Sequence, residues 1–469
     1  MPAVLRRPRG ATLAVALLAV AFTALALPRA ASANHSQPTI FDAPRELRYG
    51  SDALRTKTLD QIKSLGAKWV RVVVYWHDAA PNAGSRKRPD FNEKDPAAYN
   101  WYIYDRMVDE ARARGLKILM TPSSPVPRWA TLDHSTNRFP SATHFGRFVR
   151  ALSAHFRGRV DTWSVWNEPN LKHFLGPQFR GGKPYSPKLY RRLVNAAVSA
   201  LKATGNGHVR LLAGETAPRT RKNRSVAPLA FMRGVLCLNS HYHRRHGCKK
   251  LDIDGWAHHP YTTGSGPYWQ PPNRDDVSIG SLGRMTRALS RAGRAHALKR
   301  GVGLWLTEFG VQSYPDPYVG VSQTRQSEWR SIGEWIAWKT PRVKAFSQYL
   351  MRDDLPRKGG GHARYSGFES GLRGAKGHRK KAYNGFRLAL VADRASRHLV
   401  RLWGHVRPAT GRTRATVQYR RNGHSSWHRL KRVHTDRHGT FTTRTGYRRG
   451  RQYRLTWSSY SGSTTGVTS

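Results

Sequence analysis

The sequence predicts a (β/α)8 barrel followed by a small all-β sandwich. Three observations carry this. Between residue 34 and about residue 391, eight short β-rich runs alternate with amphipathic helical stretches. No GxGxxG or Walker-type loop follows the first run. Beyond Ala395 the helical periodicity stops and five short strand-like runs take over. Alternating strands and helices call for a parallel sheet, either closed as a barrel or open and doubly wound. The missing phosphate loop counts against the open nucleotide-binding version.

The predicted barrel strands are 46–50, 69–76, 116–121, 162–167, 209–214, 254–259, 302–307 and 343–350. Helical patterns fill the intervals at 54–65, 101–114, 145–156, 189–203, 281–297 and 326–338. Gly, Pro or Asn follows several of the runs, as turns require. A barrel of roughly 250 residues leaves about a hundred for elaborated loops. The tail runs at 398–406, 414–419, 427–433, 440–445 and 452–457 are separated by Gly, Asn, Asp and Arg turns, the pattern of a small sandwich. The division expected is therefore a leader over 1–33, a barrel over 34–395 and a basic sandwich over 396–469.

The leader rests on Arg6, Arg7 and Arg9 ahead of an apolar run from residue 11 to 27, closed by Ala31-Ser32-Ala33. This is the layout of a signal peptide, and the run is short of the ~20 residues a membrane span needs. The mature chain is expected to start near Asn34, to be secreted, and to carry no integral span. Its two cysteines, Cys237 and Cys248, lie eleven residues apart. In an oxidising compartment they are expected to pair and pin a loop, with two free thiols as the alternative.

With 81 Lys and Arg against 28 Asp and Glu, the 469-residue chain has a formal net charge of +53. That invites a nucleic-acid reading, since a basic surface releases phosphate counterions on binding. Arginine outnumbers lysine 60 to 21, however, a skew that GC-rich codons also produce. An extracellular address moves the expected partner from nucleic acid to anionic wall polymers or acidic polysaccharides. From residue 391 onward, 17 basic residues face two acids.

The chemistry lies among the acids. Trp166-Asn-Glu-Pro-Asn170 puts Glu168 just past the fourth predicted strand, and Leu306-Thr-Glu-Phe-Gly310 puts Glu308 at the end of the seventh. Residues at the C-terminal ends of barrel strands converge on the mouth. Two carboxyls there suit glycoside hydrolysis, in which one protonates the leaving oxygen and the other attacks the anomeric carbon or activates water.

These pentapeptides resemble the signatures of the clan A retaining glycoside hydrolases, among them family 5 cellulases and mannanases and family 39 enzymes. The resemblance implies Glu168 as general acid/base, Glu308 as nucleophile, and Asn167 as a hydrogen-bond partner of the sugar 2-hydroxyl. The run from Trp69 to Trp76 resembles the family 5 second strand, which implies Arg71 beside the nucleophile. His259-Pro-Tyr261 matches the sixth-strand motif, which implies Tyr261 on Glu308 and His259 nearby. The eighth run, Ala345-Phe-Ser-Gln-Tyr-Leu350, lacks the family 5 tryptophan, so Trp129 or Trp269 is expected to supply the sugar platform, or Gln348 or Tyr349 to contribute. No metal or organic cofactor is implied. The tail resembles immunoglobulin-like or fibronectin-like modules.

Other readings of single residues are structural. Glu215 and His258 read as scaffold, Asp353 and Asp354 as loop acids or sugar ligands, and the His241–His246 cluster as a solvated loop, because its arginines repel a cation. A carbohydrate is the expected partner, with a catalytically silent sugar-binding protein on the same scaffold as the alternative.

Overall fold

The computed structural model describes residues 36–468, Thr410 excepted; the leader read at 1–33 lies outside them. Eight parallel strands close into a barrel in chain order: β1 (Thr39–Asp42), β2 (Trp69–Tyr75), β3 (Lys117–Ser123), β4 (Thr162–Ser164), β5 (Arg210–Thr216), β6 (Gly255–His258), β7 (Gly303–Leu306) and β8 (Val343–Tyr349). Pairing of β1 with both β2 and β8 closes the ring. Each strand leads to a helix, in order α1 (Asp52–Ser64), α2 (Tyr102–Ala113), α3 (Ala142–His155), α4 (Ser186–Ala203), α5 (Pro228–Val235), α6 (Leu282–Arg294), α7 (Gln323–Lys339) and α8 (Lys381–Arg387). Among the described residues, no helix is long and apolar enough to cross a membrane.

Local signals set these elements. The hydroxyls of Ser51, Ser141 and Ser322 accept from backbone N–H groups three residues on and cap α1, α3 and α7. Pro187 and Pro228 sit in the first turns of α4 and α5, where a missing N–H leaves nothing unpaired. One strand differs from expectation. The first barrel strand is Thr39–Asp42, and a single helical turn over Pro44–Leu47 takes the start of the predicted 46–50 strand. The fixed φ of Pro44 favours the helix start over the strand that the alternation of 46–50 suggested.

Strand parity builds the barrel interior in layers. Ile40, Trp69, Leu119, Leu212, Ala257, Trp305 and Ala345 form an apolar floor, in which Trp69 and Trp305 meet edge to face at 5.9 Å. Two residues further along the same strands come Asp42, Arg71, Thr121, His259, Thr307 and Ser347, all buried. A period of two carries each strand from apolar floor to polar layer. β5 breaks the period: its register with β6 shifts between Ala213 and Thr216. Gly214 there has φ +116, and a Cβ would come within 2.5 Å of the Ala257 carbonyl oxygen. This is a β-bulge, in which only glycine fits.

The all-β region begins earlier than the tail pattern suggested. β9 (Leu388–Arg394) pairs antiparallel with β10 (Leu399–Val406), which pairs with β13 (Thr440–Gly446). The second sheet runs β12 (His428–His434), β11 (Arg414–Arg421), β14 (Arg451–Trp457). Leu390, Leu402, Val417 and Leu455 are among the residues that fill the space between the sheets. Buried Glu334 on α7 ties barrel to sandwich: it accepts from Arg330, from Arg407, and from His405 Nδ1 at 2.9 Å. Cys237 and Cys248 are joined and pin the loop between α5 and β6.

Candidate active site

Glu168 and Glu308 both stand at the C-terminal mouth, just past β4 and β7. The backbone around Glu168 is held in an uncommon form, with φ of 68° at Trp166 and 39° at Glu168. Such conformations cost energy and persist where the surroundings over-determine them. Here the Trp166 indole donates to the Phe174 carbonyl at 3.0 Å, Asn167 N–H to Ser123 Oγ at 3.0 Å, and Glu168 N–H to the Glu215 carbonyl at 3.0 Å.

Arg71 is the hub. From β2 its buried guanidinium donates to Glu308 Oε1 (2.5 Å), Asp42 Oδ2 (2.9 Å), Asn167 Oδ1 (2.7 Å) and Glu215 Oε2 (3.0 Å). Tyr261 donates to the other Glu308 oxygen at 2.9 Å. The nucleophile candidate is thus gripped at both oxygens. Because Arg71 occupies the amide oxygen of Asn167, its Nδ2 hydrogens are left for a ligand.

His259 links the carboxyls from the other side. Nδ1 lies 3.1 Å from Glu168 Oε1 and 3.6 Å from Glu308 Oε2, and Nε2 lies 2.7 Å from Glu215 Oε2. Burial disfavours its charge, but Glu308, Glu168 and Glu215 outweigh that and push it up to about 10. An imidazolium donating from both nitrogens fits every contact. Neighbouring His258 is also wholly buried, but it faces Thr216 and the Val277 carbonyl; burial drives it down to about 3 and keeps it neutral. The two adjacent histidines carry opposite protonation because they point to opposite sides of the wall.

The sequence leaves one acid of this network unmarked, Asp42, and reads another, Glu215, as scaffold. Asp42 ends β1; burial, only partly offset by Arg71, pushes it up to about 7. Glu215 is turned inward by the bulge. Burial works against its charge, yet Arg71, His259 and Ser164 together hold it at about 2, with Ser164 donating at 2.5 Å and Thr307 at 2.8 Å. The signal for Glu215 was the preceding glycine at a strand end. Asp42 was hidden by the misplaced first strand.

The mouth opens as a cavity of about 120 Å³, lined among others by Asp42, Arg48, Tyr75, Phe174, Tyr349 and Phe368. Its aromatic walls come from Tyr75, Phe174, Tyr349 and Phe368 instead of the expected tryptophan. Trp129 does not join them: its ring is buried, stands edge-on to Trp76 and Phe91, and donates to the Pro81 carbonyl, so it offers no free face to a sugar. Trp269 is half-buried under the Arg219 guanidinium. Gln348 is buried and bonded to Arg330. Asp353 is ion-paired with buried Lys380, and Asp354 accepts from the Phe368 N–H. Asp353 is engaged by Lys380 at both oxygens, whereas Asp354 is engaged at Oδ2 alone.

Glu168, His259 and Glu308 bring potential metal-ligand atoms within 4.8 Å of one another, the one such trio among the described residues. A protonated His259 has no lone pair to give, and Arg71 already neutralises Glu308. The donor set fits proton sharing and not a cation.

No family model matches the chain, and no curated protein matches its sequence. Among solved structures it is similar to Penicillium canescens endo-1,4-beta-xylanase XylE at 15% identity and a TM-score of 0.44, covering 75% of this chain and 93% of that one. It is similar to a Paenibacillus polymyxa xyloglucanase from glycoside hydrolase family 44 at 11% identity and 0.43, covering 90% and 97%. With the Amycolatopsis orientalis exo-chitosanase CsxA the values are 11% and 0.44, and the match spans 92% of this chain but only 48% of that one. At these values the reading of the site stands on its own geometry.

Proposed function

We propose that this chain is a secreted glycoside hydrolase that cleaves O-glycosidic bonds with retention. One observation carries the reading: at the barrel mouth a carboxylate oxygen of Glu168 lies within 4.8 Å of one of Glu308. A closest approach of that size between oxygens suits the about 5–5.5 Å that separates the carboxyl groups of retaining enzymes, whereas inverting ones leave at least ~6.5 Å for a water. Glu308, oriented by Arg71 and Tyr261, attacks the anomeric carbon. Glu168 delivers a proton to the departing oxygen, then takes one from the water that releases the glycosyl-enzyme. Asn167 Nδ2 donates to a sugar hydroxyl beside the reacting carbon. The His259 imidazolium keeps the two carboxyls at fixed separation.

The test is a hydrolysis screen across neutral and acidic glycans, followed by a slow 2-fluoroglycoside of the accepted sugar. Peptide mapping should find the label on Glu308, and Glu308→Gln should lose at least about a thousandfold in kcat/KM. Wild-type turnover in Glu308→Gln would sink the proposal. Oligosaccharide binding with no reducing-end release by the wild type would favour the silent sugar-binding alternative.

A further inference from the structure

The sheet β12–β11–β14 has one face in the sandwich core and one outside. Ala415 and Val417 of β11 point into the core, so Thr416, Gln418 and Arg420 point out. Register extends that outer face across the neighbours. Gln418 lies between Arg429 of β12 and Arg454 of β14, Thr416 between Arg432 and Thr456, and Arg420 beside Gln452.

Two of these arginines are held in place. Arg420 Nε donates to Gln452 at 2.9 Å and Arg454 Nε to Gln418 at 2.7 Å. Both guanidiniums lie over the ring of Trp427, at 4.7 and 4.4 Å from its centre. Glutamine and tryptophan thus fix the guanidinium planes through Nε and the π-face, leaving the paired terminal nitrogens for a ligand. Among the described residues no acid is ion-paired with either arginine. From residue 391 onward the acids are Asp393 and Asp436; the first faces Arg401 on the other sheet, and the second accepts from the His438 and Thr440 N–H groups of its own turn. Partial burial and the like charge of Arg420 both lower the Arg454 pKa. Cations set side by side without a counter-ion are at a cost until an anion arrives.

We propose that this face binds an acidic polysaccharide, with the Arg420–Arg454 pair clamping a uronate carboxylate and Arg429 and Arg432 taking flanking ones. Planar guanidinium forks match carboxylates in two-point contacts. Neutral Thr416, Gln418, Gln452 and Thr456 alternate with the charges, as a ligand bearing both hydroxyls and carboxylates requires. A single-stranded nucleic acid would want bare aromatic faces for its bases, whereas Trp427 is already covered by guanidiniums. The choice of a carbohydrate polymer rests on the glycosidase reading of the barrel.

The test uses the full chain and polygalacturonate, with binding measured by calorimetry at low and high salt. Arg420→Gln/Arg454→Gln should weaken binding about tenfold or more, and Arg420→Lys/Arg454→Lys, which keeps charge but loses the fork, by an intermediate factor. Lys188→Gln/Arg192→Gln, which removes equal charge from an exposed stretch of α4, should change it less than twofold. Equal weakening in the glutamine pair and the α4 control overturns the proposal, as does single-stranded DNA binding this face as tightly as the uronan. If hydrolysis fails in the wild type while this binding pattern holds, the barrel reading falls and the sheet's does not.

Discussion

Two buried charge clusters sit in this molecule as near mirror images. At the barrel mouth one cation, Arg71, is surrounded by Asp42, Glu215 and Glu308. At the junction with the sandwich one anion, Glu334, is surrounded by Arg330, Arg407 and His405. The difference lies in what each leaves unbalanced. At the junction burial and Glu334's two arginines act on groups closed off from solvent; Glu334 is driven well below its ordinary value, chiefly by Arg330 and Arg407 against the penalty of burial. His405 is lowered by burial and by Arg407, and Arg330 by burial to about 10. The mouth instead gathers four carboxyls around Arg71 and His259 and opens to a cavity. One acid, Asp42, is left at about 7. Under the function proposed above, the positive charge of an oxocarbenium-like transition state would develop against that excess of acid. The junction holds the chain together, and the mouth waits for a charge.

The sharpest way to break the comparison is at the junction. Glu334→Gln strands two buried arginines and should cost about 3–5 kcal/mol in denaturant unfolding while sparing kcat of the folded fraction. The pH dependence has a definite sign. A depressed carboxyl stabilises above its unfolded pKa, about 4.3, and that contribution is lost as pH falls through the folded value. The gap between wild type and Glu334→Gln should therefore narrow under acid. A gap constant from pH 7 to pH 2 would show that Glu334 is not the anion described.

Next comes Glu215→Gln, which removes the partner of both Arg71 and His259. We expect kcat to fall about ten- to a hundredfold with KM little changed, and the alkaline loss of activity to move to lower pH, because His259 loses one of the anions that keep it charged. A parallel loss of kcat without any shift of the pH profile would reduce Glu215 to scaffold. The smallest effect belongs to Asp42→Asn. An acid raised to about 7 in the folded chain, against about 3.9 unfolded, makes stability fall as pH rises between those values. The variant should lack that slope, which thermal unfolding between pH 4 and pH 8 will read.

Much of the site was legible because it sits at strand ends. Glu168 and Glu308 each belong to a pentapeptide that marks the exit of a strand, and Arg71 and Tyr261 follow from the same reading. Trp129 was misjudged because a tryptophan in a loop carries no label telling an exposed face from a packed one; here Trp76 and Phe91 take it. Asp42 was lost because four residues, Thr-Ile-Phe-Asp, are too short to stand out from an amphipathic helical turn next door. The sandwich's opening strand reads as the end of the barrel because both of its faces are buried, Leu388 and Leu390 in the sandwich core and Ala389 and Val391 against the barrel. Glu215 is visible in the sequence but reads as scaffold, because a sequence shows a carboxylate but not which side of a strand it faces.

The bulge at Gly214 turns that last point into a constraint of counting. A strand sorts its residues by parity, and from Leu212 onward the even positions should face inward. The extra residue resets the count, so that odd-numbered Glu215 points in and Thr216 points out to His258. Point substitutions elsewhere on β5 leave the count untouched. A side chain at position 214, where a Cβ would meet the Ala257 carbonyl, would straighten the strand with its extra residue still in place and pass the carboxylate through the barrel wall, taking the anchor of both Arg71 and His259 with it. Homologues that share this mouth should therefore vary in the other letters of β5 far more freely than at this glycine.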